Sequence, residues 1–136
     1  VDIRMKMNNF IKQIFHRAIE ETFTDYNALG GSFIAKGNGA SGTLSPHQDL
    51  NIVDEDQFRS FNIWVPLVDL HKNNGVIKIL PKSHAWLKTY RSANIDSAYG
   101  QVNDLLWKNM ISLFMKKGEA LIYDQPVTRL WRKYNR

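Results

Sequence analysis

Short apolar segments separated by turn-forming residues constrain the fold of this chain more than any other feature. Residues 58–70 and 76–80 are rich in β-branched and aromatic side chains, and residues 111–115 and 119–123 form a second such pair. Within each pair the two segments are too close together for a helix to connect them. The sequence therefore predicts antiparallel β-structure rather than the parallel sheet of a βαβ repeat.

Both pairs are expected to be hairpins. Asn74 and Gly75 readily supply the positive φ values of a type I′ turn, and Lys116-Lys117-Gly118 forms the second predicted turn. Residues 32–36 are a further strand candidate, residues 37–46 read as a Gly- and Ser-rich loop, and residues 88–110 as irregular or helical structure.

The N-terminal segment shows a different periodicity. Its apolar residues recur near every 3.6 positions, which predicts an amphipathic helix. They are Ile3, Met7, Phe10, Ile11, Ile14, Phe15, Ala18, Ile19 and Phe23. The predicted fold class is α+β, mainly β: an antiparallel barrel or sandwich with this helix packed outside it.

Composition and charge exclude several classes of protein. The 136 residues suit one domain, and no apolar stretch approaches the length of a membrane span. Residues 1–128 carry 14 basic and 13 acidic side chains, so four of the five net positive charges come from a basic tail at 129–136, and a nucleic-acid-binding face is not expected. Without cysteine, any metal must be held by imidazole and carboxylate. No export signal is evident, and we expect a cytoplasmic or other reducing intracellular location.

The most informative motif is His47-Gln48-Asp49. Side chains at positions i and i+2 of an extended segment point to the same side, so the imidazole and the carboxylate should converge. Together with a second imidazole they would form the facial triad of a non-haem Fe(II) oxygenase. A surface histidine beside an aspartate is the alternative when the motif is taken by itself.

Further motifs follow in an order that resembles the phytanoyl-CoA dioxygenase family of Fe(II)- and 2-oxoglutarate-dependent oxygenases. After His47-Gln48-Asp49 come Trp64 and Asp69, and then the segment from Asn74 to His84 (NGVIKILPKSH), in which Lys82 stands where the family usually has glycine. The segment Gly118 to Asp124 (GEALIYD) is similar to the one that leads into the family's distal metal ligand. The resemblance covers about residues 31 to 124.

The resemblance implies a fold, an activity and a set of site residues. The fold would be a double-stranded β-helix of the jelly-roll or cupin-like type, and the activity hydroxylation of a small organic substrate, with 2-oxoglutarate decarboxylated to succinate. His47 and Asp49 would be metal ligands for Fe(II), with no further catalytic residue. Gln48 and Trp64 would line the 2-oxoglutarate pocket, and Lys36 could pair with a co-substrate carboxylate, although a solvated lysine is the alternative.

The chain departs from the family after Asp124. Five residues further on, where the family has its distal histidine, stands Arg129, and no histidine follows His84. Arg129, Arg132 and Arg136 are candidates for the co-substrate arginine by composition only. We therefore predict a single partial oxygenase domain at 1–128 without the C-terminal strands, weak iron binding, and self-association through an open sheet edge.

Two alternatives to this interpretation remain. The chain could be a non-catalytic jelly-roll binding module or pseudo-enzyme, whereas a hydrolase built on His47 and Asp49 lacks a nucleophile. A base inserted after the Asp124 codon could also change a family-type Asn-Arg-Leu-Leu into Gln125-Pro126-Val127-Thr128. Sequencing the gene in all three frames tests that hypothesis, which fails if no frame carries a histidine and a downstream arginine.

Overall fold

A computed structural model describes residues 2–35, 44–86, 90–92 and 102–131. The chain divides into two compact units, residues 1–36 and residues 37–136. All the strands of the described residues, and the His47-Gln48-Asp49 motif, belong to the second unit. The position of the N-terminal helix outside a β core stays a prediction, as does the division into a domain at 1–128 and a tail.

The first unit consists of helix α1, Ile3–Thr22, and the segment that follows it. The predicted amphipathic helix is thus confirmed over nearly its full length. Asp2 caps its N-terminus, because the side chain accepts a hydrogen bond from the backbone N–H of Arg4 at 3.0 Å. The backbone becomes extended at Phe23, where the helix ends.

The strand predicted at residues 32–36 is not found over its described part, residues 32–35. The chain just before it returns to α1, where the N–H of Gly31 donates to Asn8 Oδ1 at 2.9 Å. A Cβ on Gly31 would stand 2.5 Å from Ile11 Cγ2, so this close approach requires glycine. The N–H of Gly31 is thus bonded to a helix side chain and not to a neighbouring strand.

The second unit contains two antiparallel sheets and two short helices. Strands β1, β6, β3 and β4 form a four-stranded sheet in that order, while β2 pairs with β5. The elements in chain order are β1 Leu44–His47, β2 Phe61–Trp64, β3 Ile77–Ile79, α2 Ser83–Trp86, α3 Asn103–Asn109, β4 Ile111–Leu113, β5 Leu121–Asp124 and β6 Arg129–Trp131.

Both predicted hairpins are wrong in their pairing, although both turns exist. β2 and β3 lie in different sheets, and so do β4 and β5. Gly75 and Gly118 have the expected positive φ values, 85° and 84°, but Asn74 is not among the residues of positive φ, so its turn is not type I′. The apolar patterns identified the strands, and long-range pairing rather than the local turn decided their partners.

The core of this unit lies around β3. Ile77 is fully buried and pairs with Leu113 on one side and Trp131 on the other. Leu80, Leu106 and Met110 form a buried cluster that brings α3 against the chain that follows β3. The four-stranded sheet is therefore anchored at its centre.

Of the strand predicted at residues 58–70, only β2, Phe61–Trp64, is found. Pro66 has no N–H to donate to a β ladder, and Leu67 is 70% exposed, so the apolar run after Trp64 is not a buried strand. Lys82 has a φ of 65°, which lies in the left-handed region that favours glycine.

The C-terminal end contributes to the four-stranded sheet. Arg129–Trp131, at the start of the region predicted as a basic tail, form β6, which lies between β1 and β3. The cross-strand partners on both sides account for this, because an arginine with buried polar partners is stable within a sheet. Within the described ranges, no helix combines the length and apolar character required to cross a bilayer.

Candidate functional site

His47 and Asp49 meet at the end of β1. His47 Nε2 lies 3.9 Å from Asp49 Oδ1, and both side chains are mostly buried, with 22% and 24% of their surface exposed. Asp49 follows the strand by two residues, and the extended backbone points both side chains to one side. The convergence that their spacing predicts is present, while their role as metal ligands stays a prediction.

The imidazole of His47 is held in one orientation. Its Nδ1 lies 2.8 Å from the carbonyl oxygen of Ser45, and a carbonyl only accepts, so Nδ1 carries the proton. Nε2 then presents a lone pair toward Asp49. Burial lowers the pKa of His47, and the positive charge of Arg129 lowers it further, against the opposing effects of the Ser45 bond and of Asp49. A neutral imidazole is the form that binds a metal.

Arg129 is the residue that closes this site. Its register partner in the sheet is His47, and its guanidinium Nη2 donates a short hydrogen bond to Asp49 Oδ1. This is the same carboxylate oxygen that faces His47 Nε2. The Arg129 side chain is only 9% exposed, so the ion pair with Asp49 is shielded from solvent. A cation of the protein itself therefore contacts the carboxylate oxygen that faces His47.

Asn62 and Tyr123 complete the polar cluster, and the sequence analysis had not selected either. Asn62 Nδ2 donates to the second carboxylate oxygen of Asp49 at 2.7 Å, and Asn62 pairs with Tyr123 across β2 and β5. The Arg129 guanidinium lies 5.4 Å from the centroid of the Tyr123 ring. Burial raises the pKa of Tyr123 to about 12, so its phenol is neutral at pH 7. Side chains alternate between the two faces of a strand, so the sequence of β2 and β5 could have suggested that Asn62 and Tyr123 face inward. It could not have predicted the contact between Asn62 and Asp49.

The three residues predicted to bind 2-oxoglutarate differ in where they lie. Gln48 is buried, and its side chain donates to the carbonyl oxygen of Pro126, so the amide holds the C-terminal segment. Trp64 is half-buried and follows Asn62 by two residues on β2, which places it on the Asp49 side of that strand. Lys36 lies outside the described residues. Binding of 2-oxoglutarate by all three stays a prediction.

Two long-range contacts hold the backbone that carries Asp49. Arg91 Nε donates to the carbonyl oxygen of Asp49 at 2.6 Å, and its guanidinium also forms an ion pair with Glu55. Gln125 donates from its side chain to the carbonyl oxygen of Leu50. Arg91 and Gln125 come from segments that the sequence motifs did not interpret, 40 or more residues away in the chain.

The donor set does not fit an Fe(II) ion of the facial-triad type. No group of three or more His, Cys, Asp or Glu side chains that could hold a metal occurs among the described residues. His47 and Asp49 are the two predicted ligands among the described residues, and Arg129, which contacts the same carboxylate, has no lone pair to donate and repels a divalent cation. We therefore assign no metal-dependent step to this chain.

His84 contacts a carboxylate other than that of Asp49. Its Nε2 lies 3.9 Å from Asp124 Oδ2, and the other oxygen of that carboxylate accepts from Arg59 at 2.8 Å. Arg132 and Arg136, the other candidates for a co-substrate arginine, lie outside the described residues.

Comparison with known proteins yields one match. The family model described as phytanoyl-CoA dioxygenase (PhyH) matches residues 5–127, most of the chain. No curated protein and no solved structure matches the chain significantly. The matched range includes His47, Asp49, Asn62 and Tyr123 and ends just before Arg129.

Proposed function

Because this chain belongs to the phytanoyl-CoA dioxygenase family, we propose that it is a non-catalytic member, which keeps the family's small-molecule site without the iron chemistry. Such a protein would bind a small organic molecule and would not oxidise it. The family relationship supports the small-molecule partner, and the residues around Asp49 support the loss of catalysis.

The contact between Arg129 and Asp49 is the observation that carries this proposal. Asp49 is the one carboxylate of the predicted metal site, and Arg129 and Asn62 each bind one of its two oxygens. An incoming Fe(II) ion would have to displace a shielded guanidinium and would find two protein ligands instead of three. Since 2-oxoglutarate binds such a site by chelating the iron, its affinity should fall together with that of the metal.

A dioxygenase active on a small organic substrate is the second candidate, and one specific observation favours it. His47 has the neutral tautomer that a ligand needs, with Nε2 only 3.9 Å from Asp49 Oδ1. These two side chains would supply two of the three protein ligands of a facial triad. This candidate requires a third ligand that the described residues do not supply.

The fold is proposed to be the double-stranded β-helix of the family. Consecutive strands in that fold alternate between two sheets, and here β2 to β3 and β4 to β5 pass from one sheet to the other. The four-stranded sheet ends at β1 and β4 among the described strands. Self-association through one of these edges remains part of the proposal.

An anaerobic Fe(II) titration, with and without 2-oxoglutarate, tests the proposed function. We expect the wild-type protein to bind no more iron than His47→Ala, and to form no succinate when O₂ is admitted. Binding of one equivalent of iron that is lost in His47→Ala, or succinate formation above that of the variant, would establish the dioxygenase instead.

A further inference from the structure

We propose that Arg129 does for Asp49 what a metal ion does in a metal site: it supplies the positive charge and fixes the direction of the carboxylate. The site is then organised without metal, and Arg129 is a positioning residue within it. This inference deepens the proposed function and rests on it, because it explains how the His47-Gln48-Asp49 segment keeps its shape in a protein without iron.

The register of the sheet places Arg129 in the right position for this role. It is the antiparallel partner of His47, and side chains directly opposite on such strands have Cβ atoms about 4.5–5.5 Å apart. The reach of the arginine then brings Nη2 to Asp49 Oδ1, the oxygen nearest His47 Nε2. The guanidinium therefore binds the carboxylate oxygen that also faces the imidazole.

The charges around Asp49 lead to the same conclusion. A carboxylate that is only 24% exposed is costly to bury unless a cation compensates its charge. In a metal site the ion is that cation. Here Arg129 is the cation that contacts it, and the Tyr123 ring beneath the guanidinium adds a favourable cation–π contact.

Gln125 and Pro126 also form hydrogen bonds with the segment that carries Asp49. Gln48 donates to the carbonyl oxygen of Pro126, and Gln125 donates to that of Leu50. Residues 125–129 thus form three side-chain hydrogen bonds with residues 48–50. Together they provide the rigidity that metal coordination would otherwise give.

Thermal unfolding with EDTA and with Co(II), a spectroscopic substitute for Fe(II), provides the test on the full chain. The midpoint of the wild-type protein should be the same in both conditions. Arg129→Gln should lower it by about 10 °C or more, because a buried carboxylate loses its counter-charge. Arg59→Gln is the matched control: its guanidinium also pairs with an aspartate, but it is 67% exposed, so the midpoint should fall by no more than about 2–4 °C.

Arg129→His should convert the site into one that binds a metal ion. The new imidazole would stand opposite His47, so Co(II) should raise the midpoint of this variant above its value in EDTA and produce visible absorption bands. A folded Arg129→His variant without either signal would refute the proposal. Arg129→Gln as stable as Arg59→Gln would refute it as well.

Amide hydrogen exchange of the wild-type protein gives a measurement that needs no variant. Protection at residues 48–51 should be the same with EDTA and with Co(II), and a metal-dependent rise in protection would overturn the inference. These outcomes are distinct from failure of the proposed function, which is decided by succinate formation. A protein that forms no succinate but tolerates Arg129→Gln would retain the proposed function and lose only the role of Arg129.

Discussion

Arg91 is predicted to stabilise the protein by holding the segment that carries Asp49. Its side chain is 8% exposed and pairs with Glu55, which is 21% exposed, while its Nε donates to the carbonyl oxygen of Asp49. Arg91→Gln would leave the Glu55 carboxylate with no cationic partner in this ion pair. Breaking a buried ion pair costs about 3–5 kcal/mol, and the partial exposure of Glu55 places the expected loss near the lower end, about 3 kcal/mol.

Urea unfolding at pH 7 measures this loss directly. We expect Arg91→Gln to lower the transition midpoint with an unchanged m value, since the same surface is exposed on unfolding. Glu55→Gln in the Arg91→Gln background should recover part of the loss, because the isolated charge is gone. The exposed Arg59→Gln should cost about 0–1 kcal/mol. A loss for Arg91→Gln no larger than that of Arg59→Gln would refute the reasoning.

Two further predictions concern single residues. Because burial raises the pKa of Tyr123 to about 12 from 10.0, the folded protein keeps a phenolic proton that the unfolded chain loses. The contribution of Tyr123 to stability is complete below pH 10 and declines as the pH rises toward 12. Across this range the urea midpoint should fall less in Tyr123→Phe than in the wild type, whereas in Tyr90→Phe, which changes an exposed tyrosine, it should fall as steeply as in the wild type. Equal slopes in all three proteins would contradict the pKa shift. Lys82→Gly should raise stability by about 0.5–1 kcal/mol, because relief of the left-handed φ of 65° exceeds the entropy cost of glycine. Lys82→Ala, which retains a Cβ, should show no such gain in urea unfolding, and equal effects of the two substitutions would exclude backbone strain as the cause.

Local patterns predicted those parts of the molecule that depend on neighbouring residues. The 3.6-residue periodicity predicted α1, and the spacing of His47 and Asp49 predicted that their side chains converge. The apolar runs located β3, β4 and β5 to within two residues, whereas the run that contains β2 extends six residues beyond the end of that strand. Each of these properties follows from the geometry of one continuous segment, so a single sequence contains the information that they need.

Strand pairing could not be predicted in the same way. Asn74 and Gly75 form a turn, yet β2 pairs with β5 and β3 pairs with β4 and β6. A turn permits a hairpin without requiring it, because the strands after the turn can gain more by burying Ile77 at the centre of a different sheet. The choice of partner depends on burial over the whole unit, which local periodicity does not report.

The candidate site shows the same division. The residue types of the predicted metal ligands, and the absence of a histidine at position 129, are properties of the amino-acid sequence. Only the tertiary structure decided that Arg129 stands opposite His47 and binds Asp49, and that Arg91 and Gln125 hold the neighbouring carbonyl groups. These contacts join residues more than 40 positions apart, so their formation depends on the path of the chain between them. An arginine has the same local preferences whether its partner is water or a buried carboxylate, and the sequence near it therefore does not indicate the partner.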